Sequence, residues 1–280
     1  MDPRSFPSTL AGGLAMVDGR RSSLAEATLA ITDEGVARGD GAFESVGVWS
    51  GHPFRLDDHL ARLTGSLRAI GLPRPDAAAL RADIDTLLAQ VGGADAMLRC
   101  YVTASGTRLV VLAEQPARPS PRHLVPQPAP WIRPVGTYAA AGAKTMSYAY
   151  NMAATRAARR EGGDDALLVS LEGWVLEGPT FCVLWVADGV LHAPAVDLGI
   201  VDSISRRTLL KLAFAQGLGV AEGRWRPPDL AGAQEVLICS AVRDLIAVRR
   251  VGRQRFDPAT PLRDALAGAL DRRRRTGPRS

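Results

Sequence analysis

Lysine is almost missing from this chain. Of its 34 basic residues all but two are arginine, and the two are Lys144 and Lys211. An ammonium can shed its proton and act as a nucleophile, whereas a guanidinium stays charged at any pH a protein meets. A lysine kept in such a background is a candidate for amine chemistry. Aromatic residues are also sparse, at 5%, and none form a stripe among basic residues, which argues against base stacking on a nucleic acid. Cys100, Cys182 and Cys239 are too few and too far apart for a disulfide framework or a C-x-x-C site, in keeping with a reducing compartment. His52, His59, His123 and His192 have no cysteine or carboxylate at ligand spacing, so no metal is expected. No run of about eighteen apolar residues occurs. The first thirty residues hold Asp2, Asp18 and Glu26 in place of the apolar run of a signal peptide, and a cytoplasmic location is expected.

What is present describes a globular chain. With 280 residues, 46% of them apolar, it is long enough for one large domain or two modest ones. The formal charge of +5 is spread evenly and does not read as a nucleic-acid footprint. Up to Glu114, short apolar strands alternate with helices. Leu14 to Val17 is a strand; Phe43 to Trp49 and Phe54 to Leu56 form a hairpin about Ser50-Gly51. Asp57 caps a helix that places Leu60, Leu63, Leu67 and Ile70 on one face, and a second helix runs from Asp76 to Val91. Met97 to Thr103 and Leu109 to Ala113 make another hairpin.

Seven prolines between Pro116 and Pro134 predict an interdomain linker, because neither a helix nor a central strand tolerates that density. The expected organisation is thus a smaller N-terminal domain at 1–115, a linker at 116–134 and a larger C-terminal domain at 135–280 carrying Lys144. Beyond the linker, Tyr148 to Arg160 reads as a helix, and Ala166 to Val169, Trp174 to Leu176, Val183 to Val186 and Val190 to His192 as strands. Ser203 or Ser205 caps a helix to Gln216; Gln234 to Ser240 and Leu245 to Val251 are strands, and a last helix starts at Ala259. The class is therefore mixed α and β (α+β). No G-x-G-x-x-G or P-loop is present.

Lys211 lies among Leu209, Leu210 and Leu212 and reads as the solvated side of an amphipathic helix. Lys144, in Ala-Gly-Ala-Lys-Thr-Met-Ser-Tyr, has small neighbours that leave room for a ligand, and Tyr148 follows at i+4, on the same face if a helix has begun. By spacing alone, Arg62 is an exposed helix residue, Ser203 and Ser205 are ordinary caps, Glu177 is a strand-end surface charge and Arg99 faces water.

Several separated segments together resemble one family. They are Asp33-Glu-Gly, Arg38-Gly-Asp-Gly-Ala-Phe-Glu44, His59-Leu-Ala-Arg-Leu63, Lys144 with Tyr148, Ala153 and Ala154, Asp164-Asp-Ala-Leu-Leu168, Glu172-Gly-Trp-Val-Leu-Glu177, Ser203-Ile-Ser-Arg206 and Glu235-Val-Leu-Ile-Cys-Ser-Ala241. In order and extent they are similar to the class IV, fold-type IV, pyridoxal 5′-phosphate aminotransferases. That group includes D-amino-acid transaminases, branched-chain aminotransferases and aminodeoxychorismate lyases.

The resemblance implies a two-domain homodimer in which Lys144 forms the internal aldimine and carries the Cα proton. It implies further that Glu177 faces the pyridine nitrogen, that Arg62, Ile204, Ser205, Ser240 and Ala241 hold the phosphate side, and that Tyr148 lies near the ring hydroxyl. Phe43 and Arg99 match substrate-side positions. Three positions depart from the family pattern: Cys182 stands for an asparagine, Ser203 and Ser205 for the glycine and threonine of a G-I-T motif, and Ala241 for a threonine. No R-x-H carboxylate trap is found near Thr103 to Arg108.

The expected activity is transfer of an amino group between an amino acid, D-amino acid or R-amine favoured, and a 2-oxo acid. Aminodeoxychorismate lyase is the alternative, since Ser170 to Glu177 and Val236 to Cys239 look like that subgroup. A branched-chain L-amino-acid aminotransferase and a nucleic-acid binder using Arg272 to Arg275 rank lower; that arginine run also suits the negative end of a helix.

Overall fold

The computed structural model describes residues 12–115, 122–257 and 259–276. They fall into two units: Met1–Ala117 with Ala143–Ser147 and Arg273–Ser280, and Arg118–Gly142 with Tyr148–Arg272.

The first unit contains β1 (Leu14–Val17), β2 (Arg20–Ser23), α1 (Glu34–Ala37), β3 (Gly41–Trp49), β4 (His52–Pro53), α2 (Leu56–Ala69), α3 (Ala77–Leu88), β5 (Ala96–Thr103) and β6 (Arg108–Ala113). The strands form one sheet in the order β2-β1-β6-β5-β3-β4. Side chains alternate across a strand, and the register sorts them: Glu44, Val46 and Val48 lie opposite Cys100, Leu98 and Ala96, while Phe43 and Ser45 lie opposite Tyr101 and Arg99. The first set packs with Leu63 and Leu67 of α2 and Leu80, Ile84 and Leu87 of α3 into a buried core. Glu44 falls on that core side and is wholly buried. Phe43, Arg99 and Tyr101 project from the opposite face.

The second unit contains β7 (His123–Pro128), α4 (Ala149–Arg160), β8 (Asp165–Val169), β9 (Cys182–Ala187), β10 (Val190–Pro194), α5 (Ile204–Ala215), β11 (Gly219–Gly223), β12 (Glu235–Ser240), β13 (Arg243–Val248), β14 (Arg250–Val251), β15 (Gln254–Arg255) and α6 (Pro261–Thr276). Two sheets result, β11-β10-β9-β12-β13 and β15-β14-β7-β8. On β9, Cys182, Leu184 and Val186 pack with Leu209 and Leu210 of α5 and Leu266 and Leu270 of α6. Val183 and Trp185 pack on the other face with Leu124 and Leu167 of the second sheet. Burial on both faces explains why Cys182 to Val186 reads as an unbroken apolar run.

The expected linker at 116–134 is corrected in part. Residues 116–121 lie outside the described residues, but His123–Pro128 is a strand paired in parallel with β8 and, at His123 and Leu124, with β14. The Ala129 N–H donates to the Val169 carbonyl at 2.8 Å. By alternation the nitrogens of Pro126 and Pro128 then face the other side, where β14 has already ended. The missing donors cost nothing there.

The expected placement of Lys144 in a C-terminal domain is corrected as well. Ala143–Ser147 groups with the first unit because its backbone extends the sheet. Thr145 bridges Ala42, the Phe43 N–H donates to the Lys144 carbonyl at 3.1 Å, and the Met146 N–H donates to the Gly41 carbonyl at 2.9 Å. The helix starts only at Ala149, with Tyr148 as its N-cap residue, so the shared helical face expected for Lys144 and Tyr148 does not exist. Trp174 to Leu176 is no strand; Val175 makes a single bridge to Val169. Asp57 lies in the first turn of α2, whose cap is Arg55 in the left-handed region.

Candidate active site

In the first unit the chemistry collects where β3 begins. Strand β4 pairs only with Val48 and Trp49, which leaves the start of β3 open for the Lys144 segment. Glycine is needed here: a Cβ on Gly41 would press on the Val102 carbonyl and the Met146 sulfur. The Lys144 N–H donates to Ser66 Oγ of α2 at 2.9 Å, and Lys144 Nζ stands 4.1 Å from the centroid of the Phe43 ring. Phe43 stacks in turn on Tyr101, with centroids 5.6 Å apart, and Arg99 Nη1 donates to the Tyr101 hydroxyl at 3.2 Å. Arg99 Nε is buried and meets no acceptor among the described residues. Lys144, Phe43 and Arg99 are thus brought to one neighbourhood.

Arg62 is not the exposed helix residue that spacing alone suggests. Its Nε and Nη2 donate to Glu44 Oε1 and Oε2 at 2.6 and 2.8 Å, a bidentate pair. His59 Nδ1 lies 2.7 Å from Glu44 Oε2. Burial by itself would raise the Glu44 carboxyl, but Arg62 and then His59 outweigh it and bring it down to about 2. Burial pushes the His59 ring below its usual value; Glu44 opposes that, and the charges of Arg62 and Lys144 reinforce it. A buried anion, a neutral imidazole and a guanidinium therefore sit side by side, near enough to Lys144 for its charge to act on His59. Glu44 and His59 lie in segments that carry the resemblance but, like Ser66 and Tyr101, are given no role in the site by the sequence. The available signals were period-two alternation for Glu44 and the helical spacing of His59, Arg62 and Ser66.

In the second unit the remaining expected residues gather at the start of α5. Ser203 is the N-cap, its Oγ accepting from the Arg206 N–H at 3.2 Å. The amides of Ile204 and Ser205 open the helix, where no intrahelical acceptor exists. Both residues are buried, and Arg206 anchors the turn by donating to the Pro194 carbonyl at 2.7 Å and pairing with Glu222. Glu177 Oε1 accepts from the Val201 N–H at 3.3 Å. Cys182 lies opposite Cys239 on β12 and its thiol donates to the Cys239 carbonyl at 3.2 Å. Burial, then Cys239, pushes the Cys182 thiol up to about 12, while Ser203 and Arg206 pull the other way. Ser240 ends β12 at a register shift, and Ala241 opens the turn into β13. Tyr148 caps α4 and is half-buried. Lys211 is exposed on α5, as expected.

The arginine run is not four solvated charges. Arg274 is buried with its guanidinium 4.5 Å from the Trp49 ring centroid, and Arg275 pairs with Asp95 at 3.2 Å. Two of the four arginines are thus engaged within the first unit, while Arg272 and Arg273 are exposed.

A lysine beside a buried charge cluster, on a mixed helix and sheet fold, suits a class of enzyme that the family match names. The model of the family described as amino-transferase class IV matches residues 41–251, and the chain belongs to that family. It is a pyridoxal-phosphate-dependent transaminase of fold type IV. A bifunctional aminodeoxychorismate lyase / D-amino acid transaminase of Mycobacterium tuberculosis is 30% identical over 85% of this chain and 91% of its own. A fold IV-transaminase from Curtobacterium pusillum superposes with a TM-score of 0.84 at 28% identity, covering 92% of this chain and 98% of its own. A hypothetical aminotransferase from Mycobacterium tuberculosis in its PLP-bound form gives 0.83 at 27% identity, over 94% and 98%. No helix among the described residues is long and apolar enough to cross a membrane.

The residues present fit the cofactor. A helix start with amides and a buried serine hydroxyl suits a phosphate dianion. A carboxylate such as Glu177, whose Oε1 accepts from the Val201 N–H, suits a protonated ring nitrogen.

Proposed function

We propose that this enzyme transfers an amino group between a D-amino acid or R-amine and a 2-oxo acid, with Lys144 as the amine that binds the cofactor and moves the proton. The observation that carries this reading is the clamp on Lys144: its backbone is tied on both sides while its amine stands over the Phe43 ring.

When bound, pyridoxal phosphate supplies an aldehyde that condenses with amines and a ring that takes up the electrons left when a Cα proton departs. The chain's own residues do the rest. With the cofactor bound, the Lys144 amine would take the proton from the substrate Cα and return it on the other side of the amino nitrogen. Glu177 would keep a proton on the ring nitrogen, Tyr148 would serve the ring hydroxyl, and Arg62, Ile204, Ser205, Ser240 and Ala241 would serve the phosphate. Arg62 comes to that task already fixed by Glu44. Arg99, whose buried Nε meets no acceptor among the described residues, is the substrate-carboxylate residue, and Phe43 contacts the substrate side chain. Homodimeric assembly and a cytoplasmic location belong to the same reading.

A second reading is aminodeoxychorismate lyase, in which pyruvate is expelled after proton loss. It is favoured by the 30% identical relative, whose name joins both activities. The test is borohydride reduction followed by peptide mapping. The expected label is on Lys144, lost in Lys144→Ala and kept in Lys211→Ala; a label that survives Lys144→Ala overturns the assignment. Single-turnover spectra with D- and L-amino acids, R-amines and aminodeoxychorismate separate the two activities. Pyridoxamine formation means transamination, and pyruvate without pyridoxamine means lyase.

A further inference from the structure

Asn151 is a polar side chain that no role assigned so far uses, and it joins three segments of the second unit. It stands in the first turn of α4, three residues after Tyr148 and so on the same side of that turn. Its Oδ1 accepts from Trp131 Nε1 at 3.0 Å. Its Nδ2 donates to the carbonyl of Pro179 at 3.1 Å.

Pro179 lies two residues beyond Glu177, inside a tight turn that the Gly178 N–H closes onto the Phe181 carbonyl at 2.9 Å. Pro179 is buried, and a buried carbonyl needs a donor. On the other side of Glu177, its own carbonyl accepts from the Leu168 N–H of β8 at 2.8 Å. The backbone carrying Glu177 is thus held by β8 before the turn and by Asn151 within it. An asparagine has both a donor and an acceptor end, and here the two ends point to different segments.

We propose that Asn151 is a positioning residue that ties the Glu177 turn to the start of α4, so that the carboxylate and the Tyr148 phenol keep one fixed frame for the cofactor ring. The proposal rests on the assignment of Glu177 and Tyr148 made above. The Pro179 bond carries the effect, and the Trp131 bond only orients the amide.

Asn151→Asp separates the two bonds, because a carboxylate still accepts from Trp131 but cannot donate to Pro179. Asn151→Ala removes both without adding charge. Trp131→Phe removes only the indole bond. In holoenzymes of each, three quantities are read: the pH titration of the visible cofactor band, the dissociation constant of pyridoxal phosphate, and the melting temperature of the apoprotein.

The expected result is a displaced titration midpoint and cofactor binding roughly tenfold weaker in Asn151→Asp and Asn151→Ala, the factor that loss of one hydrogen bond implies. Trp131→Phe should stay close to wild type in both. A wild-type titration and affinity in Asn151→Asp, even with a lowered melting temperature, would make the residue merely structural and overturn the proposal. An equal displacement in Trp131→Phe would overturn the route through Pro179. Wild-type protein that takes no borohydride label at Lys144 defeats the assignment of the site itself. Labelled wild type with an unmoved Asn151→Asp titration defeats only the role of Asn151.

Discussion

Glu44 shows what a single residue can decide. A carboxylate at a core position costs several kcal/mol unless it is paired, and the chain supplies two partners from successive turns of α2. Both pKa displacements act in the same direction. Glu44 binds its proton less readily in the folded chain than in the unfolded one, and so does His59, so the unfolded state gains protons first as pH falls. The His59 contribution is complete above its ordinary value of 6.5 and declines below it. That of Glu44 is complete above 4.5 and is lost toward about 2. Melting temperatures measured by calorimetry from pH 7 downward should therefore fall steadily. Glu44→Gln should be less stable at pH 7 by about 3 kcal/mol, since it removes the anion that the buried His59 and the part-buried Arg62 are built around, and its pH dependence should be flatter. A Glu44→Gln curve parallel to wild type would show that the carboxylate does not carry the effect.

At the scale of elements, the strands and helices with a clear period were readable. The hairpin of β5 and β6, the cap at Asp76, the cap at Ser203 and the apolar face of α2 all follow from local spacing. The misreadings have one cause, which is dependence on a partner distant in the chain. β7 contains Pro126 and Pro128 and is legible as a strand only once the end of β14 is known. Lys144 belongs to a sheet because the start of β3 lies open beside it, a vacancy that no local pattern records. Residue roles came from the family resemblance, whereas the Glu44 triad and the Asn151 bridge needed coordinates. The turn after Glu177 gives an element-level prediction. A Cβ on Gly178 would overlap the Phe181 ring, so Gly178→Ala should cost about 1–3 kcal/mol in urea unfolding. Adding Phe181→Leu should recover part of that loss; no recovery would place the strain elsewhere.

For the whole molecule, the proposed homodimer is a question of area. Ile31, Tyr138, Tyr150, Leu171 and Phe214 are large apolar side chains left in water by the single chain, and a second copy that covered them would gain from their burial. Light scattering after size-exclusion chromatography should give twice the 29.7 kDa chain mass. A species at the chain mass across micromolar concentrations would remove assembly from the reading.

The first unit is discontinuous: after Ala117 it takes up Ala143–Ser147 and then Arg273–Ser280. On the ribosome the sheet that buries Glu44 emerges before the lysine segment, and Arg274 can reach Trp49 only after the second unit up to Arg272 has been made. The amine thus arrives after its charge cluster, and the Arg274 contact with the Trp49 indole waits until the second unit has been synthesised.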